Sequence, residues 1–171
     1  MSMILELRQI EASAIDSLLS DPDQIEELLD LDDAIYDSGV PQENIAPEID
    51  LDKSWHAIHF LLTGSAWGGE PPFSYLLVGG EEVGDVDVGY GPARVLRPQE
   101  VSEFDMALAS VSPEDLRNRF DPQAIAREEI YAIDPQRREE ELEYIFYYYD
   151  ILRTFVHDAS LAGKGLLIYM T

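Results

Sequence analysis

A chain of 171 residues with 46% apolar content can bury one sizeable core, and its lack of cysteine excludes disulfides, thiolate nucleophiles and cysteine-type zinc sites. Thirty-five acids against eleven lysines and arginines give a formal net charge of −24. That field repels phosphate backbones and anionic lipids, which argues against nucleic-acid or membrane binding, and it would attract a basic protein partner.

The acids are uneven: fifteen lie in residues 1–52, where Arg8 is the one base. Solubility is the plain alternative explanation for them. No stretch approaches the roughly 18 uninterrupted apolar residues of a membrane span. The start MSMILELRQIEASAID has neither the basic cluster nor the apolar run of a signal peptide. A cytoplasmic protein is the expectation.

Residues 3–10, MILELRQI, alternate in polarity, which predicts a strand with one buried face. Residues 11–20 read as a short helix with Ile15, Leu18 and Leu19 inward. Asp21-Pro22 is a helix start, followed by Ile25, Leu28 and Leu29 on one face. Residues 32–47 have no period, carry many acids and Tyr36, and read as a loop.

Residues 50–64, DLDKSWHAIHFLLTG, are the most informative stretch. Wound as a helix, they place Asp52, His56, His59 and Thr63 along one stripe. Trp55, Ala57, Ile58, Phe60, Leu61 and Leu62 fill most of the rest. A helix apolar nearly all round is a buried one. Asp50 or Asp52 is its expected N-cap, and Gly64 the left-handed residue that ends it.

Residues 65–72 form an irregular connection carrying Trp67. Residues 73–78, FSYLLV, read as a central strand, 79–92 as a glycine-rich acidic loop, and 93–97 as a second short strand. A helix over 98–111 would turn Val101, Phe104, Met106 and Leu108 inward. Ser112-Pro113-Glu114-Asp115 and Asp121-Pro122 start two more helices, using Leu116 and Phe120, then Ile125 and Ile130. From 137 to 162, Leu142, Ile145, Tyr149, Leu152, Val156 and Ala159 trace one seam of a long helix, widened by Tyr144, Tyr148, Ile151 and Phe155. Gly163 and Gly165 end it, and residues 165–170, GLLIYM, close the chain as a strand. The order implies one domain over 1–171 of the α+β class: a small mixed β-sheet covered by several helices, with one long C-terminal helix before a closing strand.

The stripe His56, His59 and Asp52 has the composition of a two-histidine, one-carboxylate metal site. However, the histidines are three apart with no glutamate between them, unlike the zinc-peptidase helix. A structural stripe whose imidazoles bond backbone is the simpler reading. The loop 79–92 has no lysine and no phosphate-binding pattern, and its Asp85-x-Asp87 lacks the closing glutamate of a calcium loop, so a turn-rich hairpin connection is expected. Arg94 and Arg97 should point to opposite faces of their strand and find carboxylates, with anchoring of an anionic ligand as the alternative. His157 falls near the end of the long helix, where the dipole favours a cation. The candidate pocket is therefore Asp52, Trp55, His56, His59, Tyr90 and Arg94, with no cofactor implied.

Several segments together resemble the YfbM-like bacterial proteins, a domain-of-unknown-function family: the start MSMILELRQI, the helix LDKSWHAIHFLLTG, FSYLLVGGEEVG followed by GYGPARVLRPQEV, and the tyrosine-rich helix closing in LLIYM. The resemblance implies a small α+β cytoplasmic domain and carries over no activity and no catalytic residues. Two function classes follow from the residues themselves. One is a non-catalytic binding protein, immunity- or inhibitor-like, whose acidic surface meets a basic partner. The other is a small-molecule or metal-dependent enzyme with a pocket lined by Asp52, His56, His59, Tyr90 and Arg94.

Overall fold

The alternating first segment and the apolar last one meet at the centre of the sheet. The computed structural model describes residues 2–29 and 46–171; the acidic loop read from the sequence, with Tyr36, lies almost wholly outside them. In chain order the elements are β1 (Leu5–Ile10), α1 (Ala12–Ser20), α2 (residues 24–29), β2 (Glu48–Asp50), α3 (Trp55–Thr63), β3 (Glu81–Glu82), β4 (Arg94–Leu96), α4 (Pro98–Ala109), α5 (Pro113–Arg119), α6 (Pro122–Arg127), α7 (Arg138–Leu161) and β5 (Gly165–Met170). The strands form one sheet in the order β2-β1-β5-β4-β3, which with the covering helices is an α+β architecture.

Every pairing is antiparallel rather than mixed. The reason is visible in the register. Leu96, where β4 ends, lies opposite Leu166, where β5 begins. The four intervening helices thus return the chain to the end of the sheet it left, and the new strand runs the opposite way. A parallel neighbour would need a crossover to the opposite end.

Both faces of the sheet are covered. Leu5, Leu7, Leu96, Leu166 and Ile168 join the main core under α3, α4 and α7. On the other face Ile10, Val95, Leu167 and Tyr169 pack with Ile15, Leu18 and Ile25 from α1 and α2. Burial of β1 on both faces replaces the expected single buried face, and even Arg8 and Gln9 are buried. The helix α7 buries Leu142, Ile145, Tyr149, Leu152, Val156 and Ala159, the seam read from its spacing. In α4, Val101, Phe104 and Leu108 face inward together with Ala107, whereas Met106 is 71% exposed. Residue 106 falls off the stripe that 101, 104 and 108 define.

The caps follow local chemistry. Ser112 accepts from the Asp115 N–H at 3.1 Å while the Asp115 carboxylate accepts from the Ser112 N–H at 2.8 Å. Asp121 caps α6 by accepting from the Gln123 N–H at 3.0 Å. Gly64 ends α3 at φ 75°, its N–H donating to the Phe60 carbonyl at 2.7 Å, a conformation cheap only for glycine.

The expected strand over 73–78 is instead a run of turns. Its backbone is satisfied locally: the Ser74 and Val78 N–H groups donate to the carbonyls of Glu70 and Ser74, and the Ser74 hydroxyl donates to the Val78 carbonyl at 3.2 Å. Apolar content alone cannot distinguish a buried turn from a buried strand.

Candidate functional site

The helix α3 is the buried element its composition implies: from Trp55 to Leu62 every side chain is buried. It begins at Trp55, with Ser54 at the N-cap position, so Asp52 precedes the helix instead of lying on its stripe. Asp52 adopts φ 45°, and its carboxylate accepts from the Tyr144 hydroxyl at 2.8 Å. The same hydroxyl accepts the Lys53 N–H at 3.1 Å, tying the turn to α7. Burial, followed by that bond to Asp52, raises the Tyr144 pKa.

His56 is fully committed to backbone. Its Nδ1 accepts the Tyr131 N–H at 2.8 Å, so Nδ1 carries no proton. Nε2 is then the protonated nitrogen and donates to the Ala66 carbonyl at 2.8 Å. The ring is neutral, and burial lowers its pKa. Through these two bonds His56 holds together the loop after α3 and the loop after α6. Aromatic rings stack around it. Trp55 lies 5.0 Å away at an interplanar angle of 22°, Tyr131 stacks on Trp55 at 5.5 Å, and Trp67 leans over His56 at 4.3 Å. The Trp55 Nε1–H donates to the Met3 carbonyl at 2.9 Å, while the Met3 N–H donates to the Tyr131 hydroxyl at 3.1 Å.

His59, one turn further on, is also fully buried, yet among the described residues neither ring nitrogen has a hydrogen-bond partner. Burial drives its pKa from 6.5 to about 4; the nearby Gly68 backbone opposes the shift, and the charge of Arg94 adds to it. Arg94 is likewise turned inward. Its guanidinium donates to the carbonyls of Leu76 at 2.6 Å, Gly79 at 2.8 Å and Tyr75 at 3.2 Å. Burial lowers its pKa to about 10, against the attraction of Glu82. It therefore caps the turns of 71–78, which is one reason that segment needs no strand partner. Arg97, on the opposite face, meets Asp16 and Glu81, each at 3.0 Å. Tyr90 stands beside the end of β5, its N–H on the Met170 carbonyl at 3.1 Å and its ring partly exposed.

Of the residues singled out in the sequence, the fold gathers Trp55, His56, His59 and Arg94 in the interior and sets Asp52 and Tyr90 outside that group. Among the described residues no three histidine or carboxylate side chains are placed to hold a metal ion. The loop 79–92 is the expected hairpin connection: β3 pairs with β4, and Asp87 accepts the N–H groups of Gly89 and Gly91 at 2.9 and 3.0 Å.

Among the described residues, two of the concave regions that lie elsewhere carry polar side chains of interest. One, of about 390 Å³, lies between α1, α2 and the β1–β5 pair, lined by Ile10, Ala14, Leu18 and Leu167 with Arg8 and Gln9. The other, of about 300 Å³, runs between α4 and α7 and holds Asp105, Asp150, Arg153, Thr154 and His157. There His157 Nδ1 faces both Asp105 oxygens at 3.2 Å. The sequence signalled His157 only as a helix-end cation; Asp105 comes from another helix, which no spacing could show. Tyr131, the backbone partner of His56, had no signal at all.

Residues 1–169 match the family described as a domain of unknown function, DUF1877. The chain belongs to that family. It also superposes on the crystal structure of a protein of unknown function, YfbM from Escherichia coli, with a TM-score of 0.73, covering 98% of this chain and 99% of that one. At 22% identity the likeness is one of fold, and it agrees with the resemblance carried by the sequence segments. A search of curated proteins gives no match. Among the described residues no helix is long and apolar enough to cross a membrane.

Proposed function

We propose that this is an acidic, non-catalytic binding protein of the cytoplasm, one domain that recognises a basic protein partner in the manner of an immunity or inhibitor protein. The observation that carries the reading is where the few cations go. Arg97 is shared between Asp16 and Glu81, Arg117 between Glu114 and Glu139, and Lys164 is held by Glu11. Arg94 and Arg119 are taken up by backbone carbonyls. With these bases engaged internally and a net charge of −24, the chain carries a large excess of carboxylates open to an external cation. Electrostatic complementarity of this kind gives fast, salt-sensitive association.

The enzymatic reading, with Asp52, His56, His59, Tyr90 and Arg94 around one substrate, has less support, because both ring nitrogens of His56 are already bonded to backbone. The test is retention of partners on the immobilised protein at low and high salt, roughly 50 and 500 mM. A basic protein held near one-to-one at low salt and released at high salt is the expected result. No basic protein at either salt would overturn the reading.

A further inference from the structure

Trp67 is 62% exposed, in a chain whose other tryptophan is fully buried. An indole in water is ordinarily a loss, yet this one is held in place. Its ring leans on His56 at 4.3 Å, and His56 cannot turn because both nitrogens are bonded to backbone at 2.8 Å. The loop that carries it is drawn onto the last turn of α3. Thr63 Oγ1 accepts the Ser65 N–H at 3.1 Å, and Ser65 Oγ accepts the Gly68 N–H at 2.9 Å. At Gly69, φ 116°, an added Cβ would come within 2.8 Å of the Thr63 side chain, so this approach requires glycine. A rigid, exposed aromatic costs little entropy when it binds, and tryptophan is the residue most often found at the energetic centre of interfaces.

The loops that His56 joins are mostly acidic. Residues 64–72 and 128–134 contain Glu70, Glu128, Glu129 and Asp134, and the neighbouring Arg127 is paired with Glu128 at 3.3 Å. Glu70 and Glu129 are exposed. The ring beneath Trp67 is a neutral imidazole, because its Nδ1 accepts an N–H; an imidazolium there would repel a cation arriving above. An exposed indole face on an acidic loop is the chemistry that receives a guanidinium or ammonium group.

We infer that Trp67, with the acidic loops 64–72 and 128–134 on either side, is the surface on which an arginine- or lysine-bearing segment of a basic partner docks, its cationic head over the indole. The assignment rests on the reading that the chain binds a basic protein. In it His56 is a positioning residue, a clamp that sets two loops and a tryptophan in one plane of contact.

A fluorescein-labelled hexa-arginine peptide, titrated into the whole protein at about 0.1 M salt, tests it. Trp67→Ala should weaken binding about fivefold, and Trp67→Phe, which keeps a ring, by about half that factor. Glu70→Gln with Glu129→Gln should weaken it about threefold, while Glu26→Gln with Glu27→Gln, on the other side of the sheet, should leave it within error. In the nuclear magnetic resonance spectrum the Trp67 indole N–H should shift on titration and that of Trp55 should stay. Circular dichroism checks that each variant is folded. If Trp67→Ala binds as the native chain does, this surface is wrong and charge-driven binding elsewhere stands. If the native chain ignores the peptide even at low salt, the basic-partner reading falls with it. If Trp67→Ala only abolishes self-association, the surface belongs to a second copy and the assignment is overturned.

Discussion

His56 and His59 stand three residues apart on one helix, equally shut off from water, and their surroundings are opposite. Backbone from two distant loops meets both nitrogens of the first; among the described residues the second has only the nearby Gly68 backbone and no formed hydrogen bond. A buried imidazole is therefore a brace or a liability according to what other segments bring to it, and burial alone does not say which. The N-terminal half of α3 organises its neighbours, while the C-terminal half tolerates a polar group left without a partner.

The largest expected effect is at the brace. His56→Ala would leave the Tyr131 N–H and the Ala66 carbonyl unbonded and open a cavity under Trp67, costing about 4 kcal/mol in denaturant unfolding. A loss below about 1 kcal/mol would erase the contrast between the two histidines. Next comes Arg94→Met, which bares the carbonyls of Tyr75, Leu76 and Gly79. A loss of about 3 kcal/mol is expected, with faster amide exchange confined at first to residues 71–78.

At His59 the sign reverses. His59→Leu replaces two unpartnered buried nitrogens by apolar atoms of similar volume and should stabilise the fold by about 1 to 2 kcal/mol, read as a higher melting temperature. The smallest effect lies in the pH dependence. The His59 pKa falls from 6.5 to about 4 on folding, so the unfolded chain takes up the proton first and acidification favours unfolding. The native stability from this group is complete above about pH 6.5 and is lost as pH falls towards 4. Between those values the native chain should lose more stability than His59→Leu does. Parallel curves would mean that His59 has a partner in solution.

What the sequence could reveal follows the range over which each signal acts. The α7 seam and the Ser112-Pro113 and Asp121-Pro122 starts depend on neighbours within four residues, and they appear where the spacing puts them. Gly64 ends α3 for the same reason. The stripe over 52–63 was legible only from His56 onward, because Asp52 is drawn out of the helix by Tyr144, ninety-two residues away. Residues 73–78 have strand composition, but a guanidinium from another segment caps their carbonyls and holds them as turns. Whether His56 is a ligand, a catalyst or a brace was decided by Tyr131 and Ala66, and no pattern around His56 encodes their arrival.

The position of β5 has a consequence for how this chain is made. The last strand pairs with the first from Leu5↔Met170 to Ile10↔Gly165 and separates β1 from β4. Until residue 170 has left the ribosome, β1 has no neighbour on that side and the apolar undersides of α4 and α7 have only the separate β1–β2 and β3–β4 pairs to rest on. The helices can form as they emerge, whereas the sheet closes in one late event that joins the two ends of the sequence. During that interval the acidic surface has a second use: mutual repulsion keeps unfinished chains apart while their core is still open.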